Sequence, residues 1–398
     1  MNMRRSYSQA FKLEAVASTR VGGKSLTAIA RDLGVSRAAL NRWVEEFSHL
    51  EDLAEAAAQL AHAEQARKSQ PTIFDVAEHA GLSKSVVSRA LANSYGVSEA
   101  ARKRVSESAK ALGYVHNAMA QGLSSSRTYT IGVLVRDASA PIYGHIQSAL
   151  QKRASEKGYR VITTTGVGSA DMEDEKSALQ DLIRLRVEGL VVCSGPLPVD
   201  SIIETVGATP VVVAGRVEHD ARIRSVFGDE DSGVRDLAEH LVALGHERVA
   251  VPVPDKQTAK ILSQRAKRLI HVLTELGANV TQLPVQSPQD SQAIVVHAKA
   301  QGCTAIAAPN DRYAVEILAD LKAEGLEVPG DISVTGFDGI SPYDAKLFGL
   351  TTWKQPISAI GDHAVDMLLA MIEGLEPQTN HMALPGTVIP RSSTGPTS

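Results

Sequence analysis

Residues 71–91 read PTIFDVAEHAGLSKSVVSRAL, and this stretch decides the fold of the first part of the chain. An alanine at position 77, a glycine at 81 and a serine at 83 stand among apolar residues at helical spacing. A small alanine lets a second helix cross closely, glycine adopts the left-handed backbone of a tight turn, and a serine hydroxyl caps the free amides of the next helix. The stretch therefore predicts a helix-turn-helix.

The same pattern occurs earlier in the chain, at Ile29-Ala30, Gly34-Val35-Ser36 and Leu40. One copy is a weak signal because any helical hairpin can use it, whereas two copies in phase are a strong one. We therefore predict two helix-turn-helix modules of the kind that enters a DNA groove, in preference to two hairpins that only pack. The candidate DNA-binding residues, of types that reach phosphates and base edges, are Arg37, Asn41 and Arg42 in the first copy and Thr72, Ser83, Lys84, Ser85, Ser88 and Arg89 in the second.

The charge distribution agrees with this prediction. Residues 1–127 carry 17 Lys and Arg against 12 Asp and Glu, net +5, whereas the other 271 residues carry 24 against 33, net −9. Within the front part, the acidic stretch 45–66 separates two basic segments. Each neutralised phosphate lowers the logarithm of affinity by ~0.9 per decade of salt, so we expect DNA binding by these modules to depend steeply on salt.

Length and composition leave room for two or three further domains, because the chain has 398 residues of which 43% are apolar. Cys193 and Cys303 each lie in an apolar run typical of a buried strand, so we expect burial rather than a disulfide or a metal site. The N-terminus shows no apolar stretch of signal-peptide length, and no run approaches the ~18 residues of a membrane span. We expect a cytoplasmic protein.

The front part is predicted to be helical. Tyr7–Ala17 favours a first helix, which precedes the first helix-turn-helix ending near Phe47. The alanine-rich residues 48–70 favour a helical spacer that is short for a stable coiled coil. Thr72 caps the second module, whose helices we place at Ile73–His79, Lys84–Ala92 and Glu99–Leu112.

Beyond Thr128, short apolar β-rich runs alternate with amphipathic helices. This alternation predicts an α/β fold of mostly parallel, doubly wound sheet, long enough for two sheets side by side. We place strands at Thr130–Val135, Arg160–Thr164, Gly189–Cys193, Pro210–Ala214, Arg248–Val253, Ala305–Ala308 and Ile332–Gly336. We place helices at Ile142–Lys157, Asp174–Leu185, Ser232–Leu244, Ser263–Leu276, Asp311–Glu324 and Ile357–Glu373. Ligands of such sheets collect at the carboxyl ends of strands, here just after Val135, Cys193, Ala308 and Gly336.

Several strings together resemble the LacI/GalR family of transcriptional regulators over residues 71–390. Besides residues 71–91 they are VSEAARKRV (97–105), ALGYVHNAMAQGL (111–123), HLVALGHERVAV (240–251), APND (308–311), DISVTGFDG (331–339) and LTTWKQP (350–356). Residues 4–47 lie outside that family's layout and resemble the N-terminal helix-turn-helix of insertion-element transposases. The family resemblance implies a homodimer, a double-stranded DNA operator and a small-molecule effector, sugar-like or nucleoside-like, bound between two periplasmic-binding-protein-like subdomains.

The resemblance places Lys84, Ser85 and Arg89 at positions that read the major groove. It places Asn117, Ala120 and Leu123 on a hinge helix whose leucine wedges into the minor groove. Gly122 costs ~1 kcal/mol in a helix interior, and the segment is too short to be helical alone. We therefore expect the hinge to fold only when DNA and the dimer partner hold it; an ordinary linker is the alternative.

For the effector, the resemblance implies contacts from Asp137, Tyr143, Arg265, Asn310, Asp338 and Gln355. Paired donors and acceptors of these types can bracket vicinal hydroxyls, and one left unpaired would penalise the wrong ligand. The chain departs from the family at Ala140-Pro141-Ile142, where Asn-Pro-Phe is usual, and at Arg268 and Leu269, where glycine and an aromatic are usual. An unusual ligand and a loss of ligand response both stay open.

Other classes of protein find less support. Gly23-Lys24-Ser25 resembles the end of a phosphate loop but lacks its first glycine and a preceding strand, so we expect no enzyme, cofactor or metal. A solute-binding protein would need an export signal, and a transposition-associated protein would need a carboxylate nuclease core. The sequence favours a DNA-binding transcriptional regulator, a repressor by type, with domains at 1–47, 48–70, 71–128 and 129–398. The terminal leucine heptad that serves as the tetramerisation tail of the LacI/GalR family is missing after Arg391, so the resemblance implies a dimer.

Overall fold

The computed structural model describes residues 7–20, 25–48, 71–91, 96–114, 127–166, 172–256 and 259–397. The chain divides into two units, Met1–Gln121 and Gly122–Ser398. Within these described ranges, no helix is both long and apolar enough to cross a lipid bilayer.

The first helical module consists of α1 (Gln9–Arg20), α2 (Leu26–Asp32) and α3 (Arg37–Glu46). Its buried core contains Leu13, Ala15, Val16, Ile29, Ala30, Leu40 and Trp43. Gly34 has φ +67° between α2 and α3, and the Ser36 hydroxyl accepts from the Ala39 N–H at 3.1 Å. The predicted turn is confirmed, whereas α1 begins two residues later and ends three residues later than expected.

The second helical module consists of α4 (Ile73–Ala80), α5 (Lys84–Leu91) and α6 (Glu99–Leu112). Its core contains the buried side chains of Val76, Ala77, Ala80, Val87 and Val105. Gly81 has φ +59°, and the Ser83 hydroxyl accepts from the Val86 N–H at 3.4 Å. Glycine and serine thus have the predicted roles in this copy too.

The second unit contains two α/β subdomains. The first subdomain contains β1 (Thr130–Val135), α7 (Pro141–Glu156), β2 (Arg160–Thr165), α8 (Glu173–Arg184), β3 (Gly189–Cys193), α9 (Val199–Val206), β4 (Val211–Ala214), β5 (Arg224–Gly228) and, from late in the chain, β11 (His381–Leu384). These strands form a parallel sheet in the order β11-β5-β4-β3-β1-β2. Strands β1, β3 and β4 are buried along their length, as their continuous apolar sequences predict.

The second subdomain repeats this architecture. It contains α10 (Glu230–Ala243), β6 (Arg248–Pro254), α11 (Lys260–Glu275), β7 (Asn279–Val285), α12 (Ser291–Ala300), β8 (Ala305–Ala307), α13 (Asp311–Ala323), β9 (Ser333–Asp338), β10 (Thr351–Lys354) and β12 (Thr387–Ile389). The sheet order is β12-β10-β9-β8-β6-β7, with β12 antiparallel to β10 and the other pairs parallel.

The chain crosses between the two sheets after β5, after β10 and again between β11 and β12. After the second crossing, α14 (Ile357–Ile372) packs on β3, β4, β5 and α7 of the first subdomain. Gly361 permits this close approach, because a Cβ there would collide with Ala149 on α7. The carboxyl ends of both sheets therefore lie next to the crossings.

Every strand and helix predicted beyond residue 128 is present within a few residues of its expected ends. The largest extension is at α11, which begins at Lys260, three residues before Ser263, and β9 continues two residues past Gly336 to Asp338. The structure adds β5, β7, β10, β11, β12, α9 and α12, which the sequence analysis did not place. Cys193 and Cys303 are both buried and unpaired, as expected.

Candidate DNA interface and effector cleft

The outer face of α5 is the first candidate site. Lys84, Ser85 and Arg89 are exposed there, whereas Val87 is buried against the module's core. Residues 85 and 89 are one helical turn apart, and the Arg89 Nε donates to the Ser85 carbonyl at 3.2 Å. Ser88 is only half-exposed, so it contributes less to this face than the sequence analysis expected.

Local hydrogen bonds determine where α4 begins and ends. Thr72 and Asp75 form a reciprocal capping box: the Thr72 N–H donates to Asp75 Oδ2 at 2.6 Å, and the Asp75 N–H donates to the Thr72 hydroxyl at 3.4 Å. These hydrogen bonds from Thr72 lower the pKa of Asp75. At the other end, Arg104 of α6 donates to the carbonyls of Ala80 and Gly81. Thr72 is therefore both exposed and structural.

Phe74 is a residue of this surface that the sequence analysis missed. Its side chain is 62% exposed, which is unusual for so large an apolar group. The Lys84 Nζ lies 4.7 Å from the centroid of the Phe74 ring, within the range of a cation–π interaction. The available signal was the helical spacing of α4, which places position 74 on the side of the helix opposite the buried Val76.

The first module presents a similar face. Arg37, Asn41 and Arg42 on α3 are exposed, while Leu40 and Trp43 point into the core. Arg37 and Asn41 are one turn apart, and Arg42 adjoins them. The structure therefore places the three predicted residues together on one helix surface.

Some predicted residues lie outside the described part of the chain. They are Asn117, Ala120 and Leu123 of the expected hinge helix, together with residues 49–70 of the expected spacer. Their roles stay predictions.

In the second unit, Arg265 is the centre of a buried network. Its Nη2 donates to Glu230 Oε1 at 2.7 Å, and its Nη1 donates to the Pro309 carbonyl at 3.0 Å and to Asp338 Oδ1 at 3.4 Å. The guanidinium also lies 4.0 Å from the centroid of the Phe337 ring. Asp338 Oδ1 further accepts from Gln355 Nε2 at 2.8 Å. Three of the six predicted effector residues are thus in direct contact with one another.

A second buried carboxylate, Asp311, lies beside Asp338. It accepts from the Thr352 hydroxyl at 2.6 Å and from the Gly339 N–H at 2.7 Å. Burial, reinforced by the Asp338 carboxylate, raises the pKa of Asp311 to about 7. Burial likewise raises the pKa of Asp338 to about 6, against the opposing effect of Arg265. The two acids therefore compete for ionisation in one desolvated site.

The other three predicted effector residues are placed separately. Asp137 Oδ1 accepts from the Ser139 N–H and hydroxyl at 2.8 and 2.6 Å, which lowers the pKa of Asp137. Tyr143 is partly buried near Arg136, and burial raises the pKa of its phenol to about 12. Asn310 caps α13 by accepting from the Tyr313 N–H at 3.1 Å. Each of these groups has a local structural partner or packing role.

A cleft of about 370 Å³ opens between the two subdomains of this unit. Its lining is Gly195, Leu197, Pro198, Val199, Arg216, Val217, Glu218, Glu230, Lys260, Ile261, Gln264 and Arg268. These residues follow β3, β4, β5 and β6, so the cleft lies at the carboxyl ends of strands, where ligands of such sheets collect. Its volume suits a small metabolite.

None of the six predicted effector residues lines this cleft, although Arg265 holds Glu230, which does. Sequence reasoning missed Glu230 because the string Asp229-Glu230-Asp231 offers three acids. Asp229 caps α10 by accepting from the Ser232 N–H at 3.1 Å, and only Glu230 is buried. Packing, which the sequence does not display, distinguishes the three.

Two arginines of the first subdomain, Arg216 and Arg136, also have acidic partners. Arg216 is 8% exposed and donates from Nη1 to the Ser194 and Leu197 carbonyls, both at 2.7 Å, and from Nη2 to Glu218 at 3.1 Å. Arg136 lies 3.5 Å from the buried Glu175. Within the described ranges, no group of three or more His, Cys, Asp or Glu side chains could hold a metal ion.

Comparison with known families identifies three matching regions in this chain. Residues 72–117 match the family described as bacterial regulatory proteins, lacI family, and residues 238–394 match a periplasmic binding protein-like domain. Residues 1–73 match a family described as transposase.

Individual relatives extend the similarity over most of the chain. The HTH-type transcriptional regulator GalR of Escherichia coli (strain K12) is 30% identical over 309 residues, which are 76% of this chain and 89% of that protein. The lactose operon repressor of the same organism is 30% identical over 333 residues, 81% of this chain and 90% of that protein. A crystal structure of the lac repressor dimer bound to operator and the anti-inducer ONPF has a TM-score of 0.73 at 27% identity, and covers 82% of this chain and 99% of that one. The capped helix-turn-helix, the paired α/β subdomains and these similarities together establish that the chain belongs to the LacI family of bacterial transcriptional regulators.

Proposed function

We propose that this regulator acts as a homodimer on a pseudo-palindromic operator, with α5 of each protomer in the major groove. The observation that carries the proposal is the exposed face of α5, on which Lys84, Ser85 and Arg89 lie. The turn before this helix contains Gly81, whose carbonyl accepts from Arg104. Arginine and lysine are suited to guanine edges and phosphates, and the serine hydroxyl can donate to either. The solved relative, a dimer bound to operator, supports the same arrangement.

The cleft of the second unit is the proposed effector site. A ligand held there contacts both subdomains and changes the angle between them, which moves the segments that lead to the DNA-binding modules. A ligand shifts such an equilibrium only by its differential affinity, and a change from 1:99 to 99:1 needs ~5.5 kcal/mol. One of the named relatives, the lactose operon repressor, is a repressor, which favours repression over activation.

The first module supplies an additional DNA contact in this proposal. Arg37, Asn41 and Arg42 form an exposed polar face on α3, and residues 1–44 carry 8 basic against 2 acidic side chains. The match of residues 1–73 to a transposase family supports a DNA-binding role for this module. We further propose that the protein works in the cytoplasm and has no catalytic activity of its own.

Capture of genomic DNA by the full-length protein, followed by titration of the best-bound fragment, tests the proposal. Arg89→Ala should weaken binding by about 10- to 100-fold and broaden the preferred sequence, because a bidentate arginine–guanine pair discriminates by ~1–3 kcal/mol. Lys110→Ala, which removes one charge from the exposed surface of α6, is the matched control. It should leave the preferred sequence unchanged.

Two results would contradict the assignment of α5. One is an Arg89→Ala protein that keeps both its affinity and its sequence preference. The other is a Lys110→Ala protein that loses the preference to the same degree, since that would locate base recognition on α6.

A further inference from the structure

We infer that the effector is a small anion whose carboxylate or phosphate group binds along the row that Lys260, Gln264 and Arg268 present to the cleft. The inference deepens the proposed function and rests on it, since it takes the cleft between the subdomains as the effector site. It is carried by the charges and hydrogen-bonding capacity of the side chains that line the cleft.

Helix α11 presents a row of donors to the cleft. Lys260, Gln264 and Arg268 are spaced four residues apart, so they lie on one face of the helix, and all three line the cleft. Lysine offers three N–H donors and arginine five, while neither can accept. A ligand that faces this row must therefore be rich in acceptors.

The acids of the cleft are already neutralised. Glu218 accepts from Arg216 at 3.1 Å and from the backbone N–H groups of His219 and Asp220 at 2.9 and 3.2 Å. Glu230 Oε1 accepts from Arg265, and Glu230 Oε2 lies 3.4 Å from Arg268 Nη1. Both carboxylates are thus paired with arginines, and the described lining carries three cations, Arg216, Lys260 and Arg268, against these two acids, so it favours an anionic ligand.

The cations of α11 still have capacity. Arg268 uses Nη1 for Glu230 and Nε for Asp231, at 3.4 and 3.2 Å. Its Nη2 makes no hydrogen bond to any part of the chain that the structure describes. Lys260, likewise, has neither an ion pair nor a hydrogen bond within the described ranges and is exposed to the cleft. Charge-assisted hydrogen bonds to a carboxylate or phosphate are about twice as strong as neutral ones.

The remainder of the lining favours the same class of ligand. The apolar side chains of Leu197, Val199, Val217 and Ile261 lower the local dielectric constant, which strengthens a charge pair. Among the described residues that line the cleft there is no aromatic ring, so this part of the lining offers no stacking surface for a nucleobase or a pyranose ring. Helix α11 also begins at Lys260 without a capping side chain or an acid in its first turn, which adds a positive dipole end.

Thermal unfolding of the full-length protein with matched probes tests the inference. Glucose, galactose and ribose are each supplied as the neutral sugar, the aldonate and the terminal phosphate, at constant ionic strength. At least one anion should raise Tm by about 2–4 °C when present in large excess over its Kd, whereas its neutral counterpart should not.

Lys260→Gln should then weaken binding of that anion by about tenfold or more, as measured by calorimetric titration. Lys267→Gln, which removes an exposed charge from the same helix outside the cleft, should leave the Kd unchanged.

A neutral sugar that stabilises the protein as much as its acid would overturn the inference and leave the cleft as an effector site. The inference also fails if no anion shifts Tm while operator binding is intact, or if Lys267→Gln weakens binding as much as Lys260→Gln. If the protein prefers no genomic DNA fragment over random duplex, the proposed operator binding is refuted. That result does not depend on the ligand probes, so it is distinguishable from a failure of the inference.

Discussion

The Lys84 ammonium lies over the exposed ring of Phe74, and this single contact connects the two helices of the second helix-turn-helix on their solvent side. Lysine has a long, flexible side chain that loses ~2 kcal/mol of rotamer entropy when fixed. A ring that already restrains Lys84 reduces this cost on DNA binding. Phe74 is therefore expected to act as a positioning residue for Lys84.

Phe74→Leu should weaken operator binding about two- to fivefold when Lys84 is present and much less in a Lys84→Gln background. Fluorescence anisotropy with the captured operator fragment measures the four proteins of this double-mutant cycle. Lys84→Gln should also reduce the salt dependence of log K by ~0.9, since it removes a phosphate-binding charge, whereas Phe74→Leu should not. Equal losses from Phe74→Leu in both backgrounds would refute the coupling.

The stability of the folded protein should also depend on pH through the buried carboxyl group of Asp311. The pKa of Asp311 is raised to about 7 by burial, from 3.8 in the unfolded chain. Between these values the folded state holds a proton that the unfolded state has lost, so this group's contribution to stability falls as pH rises toward 7. Asp311→Asn removes the titration and keeps the shape of the side chain and one acceptor oxygen for the Gly339 N–H, while its amide nitrogen faces the Thr352 hydroxyl, which can also accept.

The Tm of Asp311→Asn minus that of the unaltered protein should therefore become more positive between pH 5 and pH 8. The half-buried His240 and the buried His246, whose pKa values are lowered by desolvation, titrate in the opposite sense but are common to both proteins and cancel. Asp236→Asn, which removes an exposed carboxylate from α10, is the matched control. A Tm difference that is constant across this range would contradict the assignment.

The sequence indicated some of the individual residues in the buried network around Arg265 and missed others. Resemblance to the family brought Arg265, Asp338 and Gln355 together, and the structure joins them through hydrogen bonds. It did not reveal Glu230, because the partner of Arg265 lies 35 positions earlier, and only the packing of α10 against α11 brings the two together. Arg268 was visible as a departure from the family, but its partners were not.

At the scale of elements, the turns were the most predictable feature. Gly34 and Gly81 both have the left-handed backbone that the repeated pattern requires, and the following serines both act as caps. Apolar runs such as Gly189–Cys193 also identify their strands, because a buried parallel strand has no polar face.

The missed elements lack such signals. Strand β7 reads NVTQLPV, contains a proline and lies at the edge of its sheet, and its exposed residues, Asn279, Gln282 and Pro284, do not alternate regularly. Strands β11 and β12 have four and three residues, too few to show a period. Helix α9 reads VDSIIETV, whose β-branched residues favour a strand as much as a helix until packing decides.

Thr72→Ala tests the capping box of α4. The substitution removes the hydroxyl that accepts from Asp75, so helix stability should fall by ~1 kcal/mol. Hydrogen exchange of the α4 amides should then be about fivefold less protected, because exchange reports local opening. Ser106→Ala, at an exposed position within α6, is the control and should leave protection of α4 unchanged. Unaltered protection in Thr72→Ala would contradict a stabilising role for the box.

At the scale of the whole molecule, the chain's three crossings between the sheets meet around one side chain. Trp353 at the end of β10 is fully buried, and a Cβ at Gly228, Gly233 or Gly386 would be in close contact with its ring. Gly228 and Gly233 flank the crossing after β5, Gly386 lies in the crossing between β11 and β12, and Trp353 itself precedes the crossing after β10, so the ring packs where the subdomains join. The placement of β11 in the first sheet and of β12 in the second could not be predicted, because strand pairings between distant segments leave no local pattern.

The presence of two helical modules in the front part of the chain leads to a further prediction about the length of the DNA contact. Replacing Arg37, Asn41 and Arg42 with alanine removes two cations from α3 and should lower the salt dependence of log K by ~1.8, if both arginines bind phosphates. The DNase footprint of the full-length protein should shorten in parallel. Titrations at several salt concentrations, with Lys110→Ala as a control for charge loss elsewhere, measure the effect. An unchanged slope and footprint would show that the first module does not contact the operator.

The most direct test of the central claim, that α5 gives this protein sequence-specific DNA binding, is a competition titration of the full-length protein at one fixed salt concentration. Labelled genomic fragment obtained by capture is displaced by unlabelled copies of itself or by random duplex of equal length. The account predicts a preference of about 10³-fold or more for the captured fragment, as expected for specific operator binding. Equal displacement by the two competitors would contradict it.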